Sequence, residues 1–336
     1  MMEFLTSNFK ELSLYLFDPN KRIYWGYIAS AILLALPVFV ATLKQTAAKA
    51  SISGFVRFLF PKHIYFDTSA KHDYALLVLN KLLKAALFPA VVLTMVPVAL
   101  SVSDALEWVL GTHEPVMTSE FGIMVVFTLL LFIFDDFTRF YLHYLLHKVP
   151  FLWEFHKVHH SAKVLTPFTI YRSHPVESYL YACRMALTQG FVVGLCYYLF
   201  GPSLKMYDIV GANVFVFAFN IMGSNLRHSH IWLSWGDKVE NWFISPAQHQ
   251  VHHSANPKHF DTNLGSALSV WDRLNRSLIK ASEISSPLKL GIGKQYQQHE
   301  TLWGIYINPF IQAGSKLTAR LPYKKKSTTE RSNEPR

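Results

Sequence analysis

FGIMVVFTLLLFIFDDFTRFYLHYLLH, residues 121–147, decides how the chain is read. Phe121–Phe134 carries no charge, and the pattern then continues in helical register through Asp135, Asp136 and Arg139 to His143-x-x-x-His147. Residues four apart share one helical face, so this face offers two imidazoles just past an apolar stretch. Two further clusters follow, His156-x-x-His159-His160 and His249-x-x-His252-His253. Each again has i, i+3, i+4 spacing and so a single face. Neutral imidazole is the commonest protein ligand for a transition metal. Eight of them in three tight groups exceed what one ion needs, which points to two metal ions held beside a membrane.

Four other apolar runs flank these clusters: Ile23–Leu43, Ala85–Ser103 with Pro89 and Pro97 inside it, Met185–Leu204, and Ile209–Leu226. Gly201-Pro202 and Asp208 separate the last two and read as a tight turn. Lipid offers the backbone no partners, so spanning segments must be helical. The expected fold is an all-α integral membrane protein, a bundle of about four to five apolar helices, some of them hairpin or re-entrant. A cytoplasmic helical cap would hold the histidine site. Lys and Arg follow the first, third and fifth runs, whereas the Asp104–Glu120 linker carries only acidic charge. The positive-inside rule then puts the N-terminus outside and the histidine clusters and C-terminus in the cytoplasm. The membrane is a bacterial inner membrane or endoplasmic reticulum. Three segments are expected: 1–62 with the first membrane helix, 63–280 as the catalytic unit, and 281–336 as an extension with a basic, disordered tail from Tyr323. The first apolar run is read as a retained helix, because no basic region leads directly to a small-residue cleavage site.

Composition supports this. Of 336 residues, 51% are hydrophobic and 16% charged, more apolar and less charged than a soluble domain. The net charge of +10 comes without any nucleic-acid-binding motif and suits an anionic leaflet. Two cysteines, Cys183 and Cys196, supply neither a disulfide framework nor a thiolate metal site.

Other polar residues join the candidate list. Asp136 is placed to orient an imidazole through its second nitrogen, or to pair with Arg139. His228 and His230 point about 200° apart on a regular helix, so either one is a ligand or the helix ends near Arg227 and both turn inward. Asn225 meets a metal through water or bonds backbone. His174, before Pro175, reads as a loop hydrogen-bonding residue, and His63, His72, His113 and His299 have no cluster partner.

Trp153–Ser161 and Ser245–Ser254 resemble the second and third histidine boxes of the sterol desaturase / fatty acid hydroxylase superfamily. Asn263-Leu264-Gly265 and Trp271-Asp272-Arg273-Leu274 resemble the segment that follows the third box, and the likeness covers roughly His63 to Arg276. The resemblance implies a membrane-bound non-haem di-iron enzyme that uses O₂ to hydroxylate or desaturate a lipid C–H bond. It implies two iron ions and additional ligands between the boxes, for which His228 and His230 are the candidates. The chain has no dinucleotide, c-type haem or iron–sulfur motif, so electrons must come from a reductase, ferredoxin or cytochrome b5-like donor. Lys157, Lys163 and Lys238 are candidates to steer it. The competing readings are a zinc-dependent membrane lipid hydrolase, with Glu154 or Asp261 as base, and a histidine-rich metal transporter.

Overall fold

The computed structural model describes residues 1–47, 49–209, 211–284 and 288–318. In chain order, α1 (Met2–Leu14), α2 (Trp25–Thr46), α3 (Ile52–Leu59) and α4 (Lys62–Tyr65) lead to α5 (Thr68–Val91) and α6 (Met95–Leu110). Next come α7 (Glu120–Lys148), α8 (Pro150–His160) and α9 (Pro175–Phe200). A short antiparallel hairpin, β1 (Asp208–Ile209) and β2 (Ala212–Asn213), precedes α10 (Val214–Ile221), α11 (Asp237–Glu240), α12 (Pro246–His252), α13 (Val270–Asn275) and α14 (Leu302–Thr318). The chain is therefore predominantly helical, as expected.

Three helices are long and apolar enough to cross a membrane: α2, α7 and α9, with mean hydropathy 2.1, 2.0 and 1.2 over their best windows. The outward faces of α2 and α7 carry Leu33, Leu36, Val125 and Leu129, all exposed, which suits lipid better than water. The second apolar run is not one straight helix. It divides into α5 and α6, which meet at a bend of 43° and together pass as a fourth span. Pro97 explains the break: its ring would clash with the carbonyl of Leu93, four residues back, so α6 must start afresh.

The fifth run departs from expectation. Its described residues form part of the β1–β2 hairpin, the eight-residue α10 and a 3₁₀ turn at Ser224–Leu226. At 1.5 Å per residue α10 covers about 12 Å of a hydrocarbon core of about 30 Å. Gly211 (φ +83°) makes the turn, and Gly223 (φ +97°) lies in the left-handed region just past the helix end. Composition made this stretch apolar, but glycine punctuation cut it short. The basic tail from Tyr323 lies outside the described residues.

α7 and α9 run antiparallel. Ile123 and Phe127 near the start of α7 pack on Val192, Cys196 and Phe200 near the end of α9. Further along, Thr138 and Thr188 are hydrogen-bonded at 2.9 Å, and Arg184 reaches Asp135 at 2.8 Å. α6 packs close against α9 because α9 presents Gly190 and Gly194. A Cβ on Gly194 would lie 2.4 Å from the Ala99 carbonyl oxygen. These helices bring the C-terminal end of α7 against α8 and the 224–272 region, where the histidines gather.

Candidate metal centre

Local chemistry fixes the two short histidine helices. α8 starts with Pro150 at its first position, whose missing N–H costs nothing there. α12 starts with a capping box: Ser245 Oγ accepts from Gln248 N, and Gln248 Oε1 accepts from Ser245 N. Each helix then ends on an adjacent histidine pair.

The structure sorts nine histidines into two groups. His143, His147, His156, His160 and His252 form one, and His159, His228, His249 and His253 the other. Within each group one ring nitrogen per residue lies within 4.8 Å of all the others. Imidazole–metal bonds near 2.1 Å put ligands of one ion at most about 4.2 Å apart, so each group is close to the size of a coordination sphere. Both adjacent pairs split. His160 and His252 go to the first group, His159 and His253 to the second, because neighbours on a helix point about 100° apart.

Long-range partners set the tautomers. His143 Nδ1 donates to Leu264 O (2.7 Å), His159 Nδ1 to Arg172 O (3.2 Å) and His252 Nδ1 to Thr262 O (2.8 Å). His147 Nδ1 donates to Asp261 (3.2 Å), and His156 Nδ1 to Glu177 (2.9 Å). A neutral imidazole has one N–H, so in all five Nε2 is a bare lone pair. Yet His143 Nε2 and His156 Nε2 stand 3.0 Å apart. In the second group Arg227 donates to His249 Nδ1 (2.9 Å), leaving His249 Nε2 to donate to His228 Nε2 at 3.0 Å. His228 Nε2 then faces the bare Nε2 of His159 at 3.2 Å.

Facing lone pairs at such distances need a cation between them. A proton does not serve, because burial holds His159 down at about 4 and His156, His228 and His252 well below the usual imidazole value. Nε2 of His147 and of His252, and both nitrogens of His253, also lack any hydrogen-bond partner among the described residues. Each such orphan costs ~1–3 kcal/mol. A metal ion in each group would take up one nitrogen of each of these rings, so the donor set fits the group the sequence implied.

Residues 128–277 match the fatty acid hydroxylase family model, a segment that holds all nine histidines. An alkylglycerol monooxygenase of Caenorhabditis elegans is 24% identical over 52% of this chain and 32% of its own length. A delta(7)-sterol 5(6)-desaturase of Eremothecium gossypii is 30% identical over 43% and 35%. An ornithine lipid hydroxylase of Rhizobium tropici is 30% identical over 41% and 38%. Residues 128–277 thus carry the fatty acid hydroxylase domain of the sterol desaturase / fatty acid hydroxylase superfamily. The chain spans about a third of the length of the first curated relatives it matches. No solved structure is significantly similar to it.

Four polar residues sit differently from expectation. His230 stands outside both groups: its Nε2 donates to Phe58 O at 2.7 Å and its ring packs on Phe58. The 3₁₀ turn at Ser224–Leu226 aims His228 inward, and two residues further the chain faces α3. Asp136 neither orients an imidazole nor pairs with Arg139. It accepts from Ala267 N (2.7 Å), Leu268 N (3.0 Å) and Trp271 Nε1 (2.9 Å), while Arg139 pairs with Asp135 at 3.0 Å. One residue of helical rotation separates the two aspartates and gives them different neighbours. Asn225 is buried outside both groups, and its amide nitrogen has no partner among the described residues. Lys157 is buried against Glu154 and presents no charge to a docking partner. His174 caps α9 by accepting from Val176 N and donates to Tyr306 O.

The segment after the third box has a positioning role that spacing alone did not reveal. Asp272 accepts from Leu264 N (2.8 Å) and Gly265 N (2.7 Å), which fixes the Leu264 carbonyl that His143 uses. Burial pushes Asp272 up to about 6. A Cβ at Gly265 would lie 2.8 Å from the same carboxylate, so glycine belongs there. Glu177, the partner of His156, stands alone in sequence at the start of α9 and carried no signal.

Proposed function

We propose that the protein is a membrane-bound di-iron oxidoreductase that uses O₂ to hydroxylate or desaturate a C–H bond of a membrane lipid, taking electrons from a separate donor protein. The observation that carries this reading is the pair of histidine groups with unshared Nε2 lone pairs turned toward one another. Imidazole suits iron, zinc and copper alike. The superfamily favours iron, and the curated relatives are named as lipid hydroxylases, monooxygenases and desaturases.

On this reading nine histidines are the ligands: His143, His147, His156, His160 and His252 for one ion, His159, His228, His249 and His253 for the other. Bound iron would supply reductive activation of O₂. The chain's own part is positional. Carbonyls of Leu264, Arg172 and Thr262 and the carboxylates of Glu177 and Asp261 hold the rings by Nδ1. Such anchors keep ligand geometry rigid and raise basicity. His249 differs: Arg227 holds its Nδ1, so its Nε2 must give up the proton it shares with His228 before it can bind the ion, leaving an imidazolate that Arg227 neutralises. Residues 63–280 form the catalytic unit, and the clusters face the cytoplasm, where a reductase, ferredoxin or cytochrome b5-like protein would reach them.

A zinc hydrolase is disfavoured by the carboxylates. Glu154 is paired with Lys157, and Asp261 with both His147 and Lys148, so neither is a free base. Metal analysis with an optical spectrum, together with mass spectrometry of cellular lipids with and without the protein, tests the proposal. Two irons per chain without a haem band, and a lipid changed by one added oxygen or two lost hydrogens, are expected. Stoichiometric zinc from iron-replete cells with hydrolytic products would refute it.

A further inference from the structure

A cavity of about 410 Å³ opens beside the histidines, and its wall is unexpectedly cationic. Arg22, Lys84, Arg139 and Arg227 all line it, together with His143, His156, His159, His228 and His249. The wall offers one carboxylate, Glu177, which is engaged by His156. Just behind it Asp135 serves two guanidiniums, Arg139 at 3.0 Å and Arg184 at 2.8 Å. Asp136 and Asp272 are close to Arg227 electrostatically, but backbone N–H groups occupy both.

That leaves three cations without a carboxylate among the described residues. Arg22 donates to the amide oxygen of Asn220 at 2.7 Å. Among the described residues Arg227 reaches neutral groups alone, the carbonyls of Ser266 and Gly265, the ring of His249 and the face of Phe219 at 5.5 Å, and its Nε has no hydrogen-bond partner. Lys84 has no hydrogen-bond partner among the described residues. Arg139 keeps 40% of its side-chain surface accessible, facing this space. Enclosed cations without counter-charge are costly, and metal ions in the adjacent histidine groups would add more positive charge. The missing partner is an anion. Guanidinium forks match carboxylate and phosphate oxygens bidentately.

The remaining wall says what carries that anion. Phe88, Ile170, Ala182 and Leu264 supply its apolar part beside Tyr181 and four serines, and the cavity is lined by α7 and α9, both long enough to span, and by α5, which passes as a span together with α6. We infer that the cavity takes a lipid with an oxyanion headgroup, phosphate or carboxylate, held by Arg22, Arg139 and Arg227 with Lys84 beside them. This names the substrate class for the site in the proposed function and rests on that reading for its relevance to catalysis. The apolar stretch Asn213–Met222 does not line this cavity, and its Asn220 reaches it through Arg22.

Binding tests the inference without any turnover. The full chain in uncharged detergent micelles is titrated with 1-oleoyl lysophosphatidate, oleate, 1-oleoylglycerol and inorganic phosphate. At least one of the two anionic lipids should bind roughly tenfold or more tightly than 1-oleoylglycerol, as charge-assisted hydrogen bonds imply, and which of them does so identifies the headgroup. Arg22→Gln with Lys84→Gln should remove that preference while leaving 1-oleoylglycerol binding unchanged. Arg22→Lys with native Lys84 should keep most of it, and Lys238→Gln should keep all of it. Equal affinity for charged and uncharged lipids would overturn the inference. So would inorganic phosphate binding as tightly as lysophosphatidate, since no lipid would then be needed. An anionic lipid that binds as described but is never oxidised would refute the proposed reaction and leave this site standing. Oxidation of an uncharged lipid, with no charge preference in binding, would do the reverse.

Discussion

His159 and His252 show how a single side chain is held and what losing it should do. Each donates from Nδ1 to a carbonyl and leaves Nε2 without a proton, one in each group. His159→Ala and His252→Ala should each lower bound metal below two ions per chain and abolish O₂-dependent lipid oxidation. Metal analysis of the purified variants checks this. His113, exposed and outside both groups, is the control, and His113→Ala should keep full metal content. His299 is a poor control despite having no cluster partner in sequence, because it is fully buried. The anchor of His159 can be tested from behind. Arg172, whose carbonyl takes the His159 proton, pairs with Asp73 of α5 at 2.6 Å, both side chains wholly buried. Removing one partner of such a pair costs ~3–5 kcal/mol. Asp73→Asn should therefore lower the denaturation midpoint and also loosen metal held by the second group, read as faster loss to a chelator. The clustered histidines were legible because ligand spacing on a helix is local. Their Nδ1 partners were not, since backbone carbonyls from 10 to 121 residues away leave no mark in sequence.

At the scale of elements, the spans were readable where apolar residues ran unbroken. α2, α7 and α9 correspond to such runs, and α7 carries its register past Phe134 to His147 as the sequence indicated. The fifth run misled because hydropathy averages over glycines at 211 and 223, and backbone conformation there is decided residue by residue. Packing between elements depended on still less visible features. Gly190 and Gly194 let α6 approach α9, and a methyl group at either would sit 2.4–2.5 Å from atoms of α6. Gly194→Ala should destabilise the protein by about 1–3 kcal/mol, the usual cost of overpacking, seen as an earlier unfolding transition in detergent. Metal content of the protein that remains folded should be unaffected, because the α6–α9 contact is remote from the histidines.

For the molecule as a whole, stability should depend on pH in a direction set by buried neutral imidazoles. Burial holds His174 and His299 at about 4, while an unfolded chain would protonate them near 6.5. Between those values the unfolded state binds more protons, so stability is complete above pH 6.5 and falls as pH drops toward 4. Thermal unfolding at pH 7 and pH 5 should show the loss, and His299→Gln, which cannot titrate, should make the dependence shallower. The same whole-molecule view explains why the cationic cavity was not legible. Arg22, Lys84, Arg139 and Arg227 lie far apart in sequence, and only the fold brings them to one wall.

The splitting of the two adjacent histidine pairs has a thermodynamic consequence. His159-His160 and His252-His253 each share one stretch of backbone between both groups. The first ion to arrive orders that backbone and so lowers the entropy cost for the second. Loading should therefore be cooperative, with a sigmoidal titration and little singly loaded protein at half saturation. Reciprocity requires that stripping one ion weakens retention of the other by the same factor.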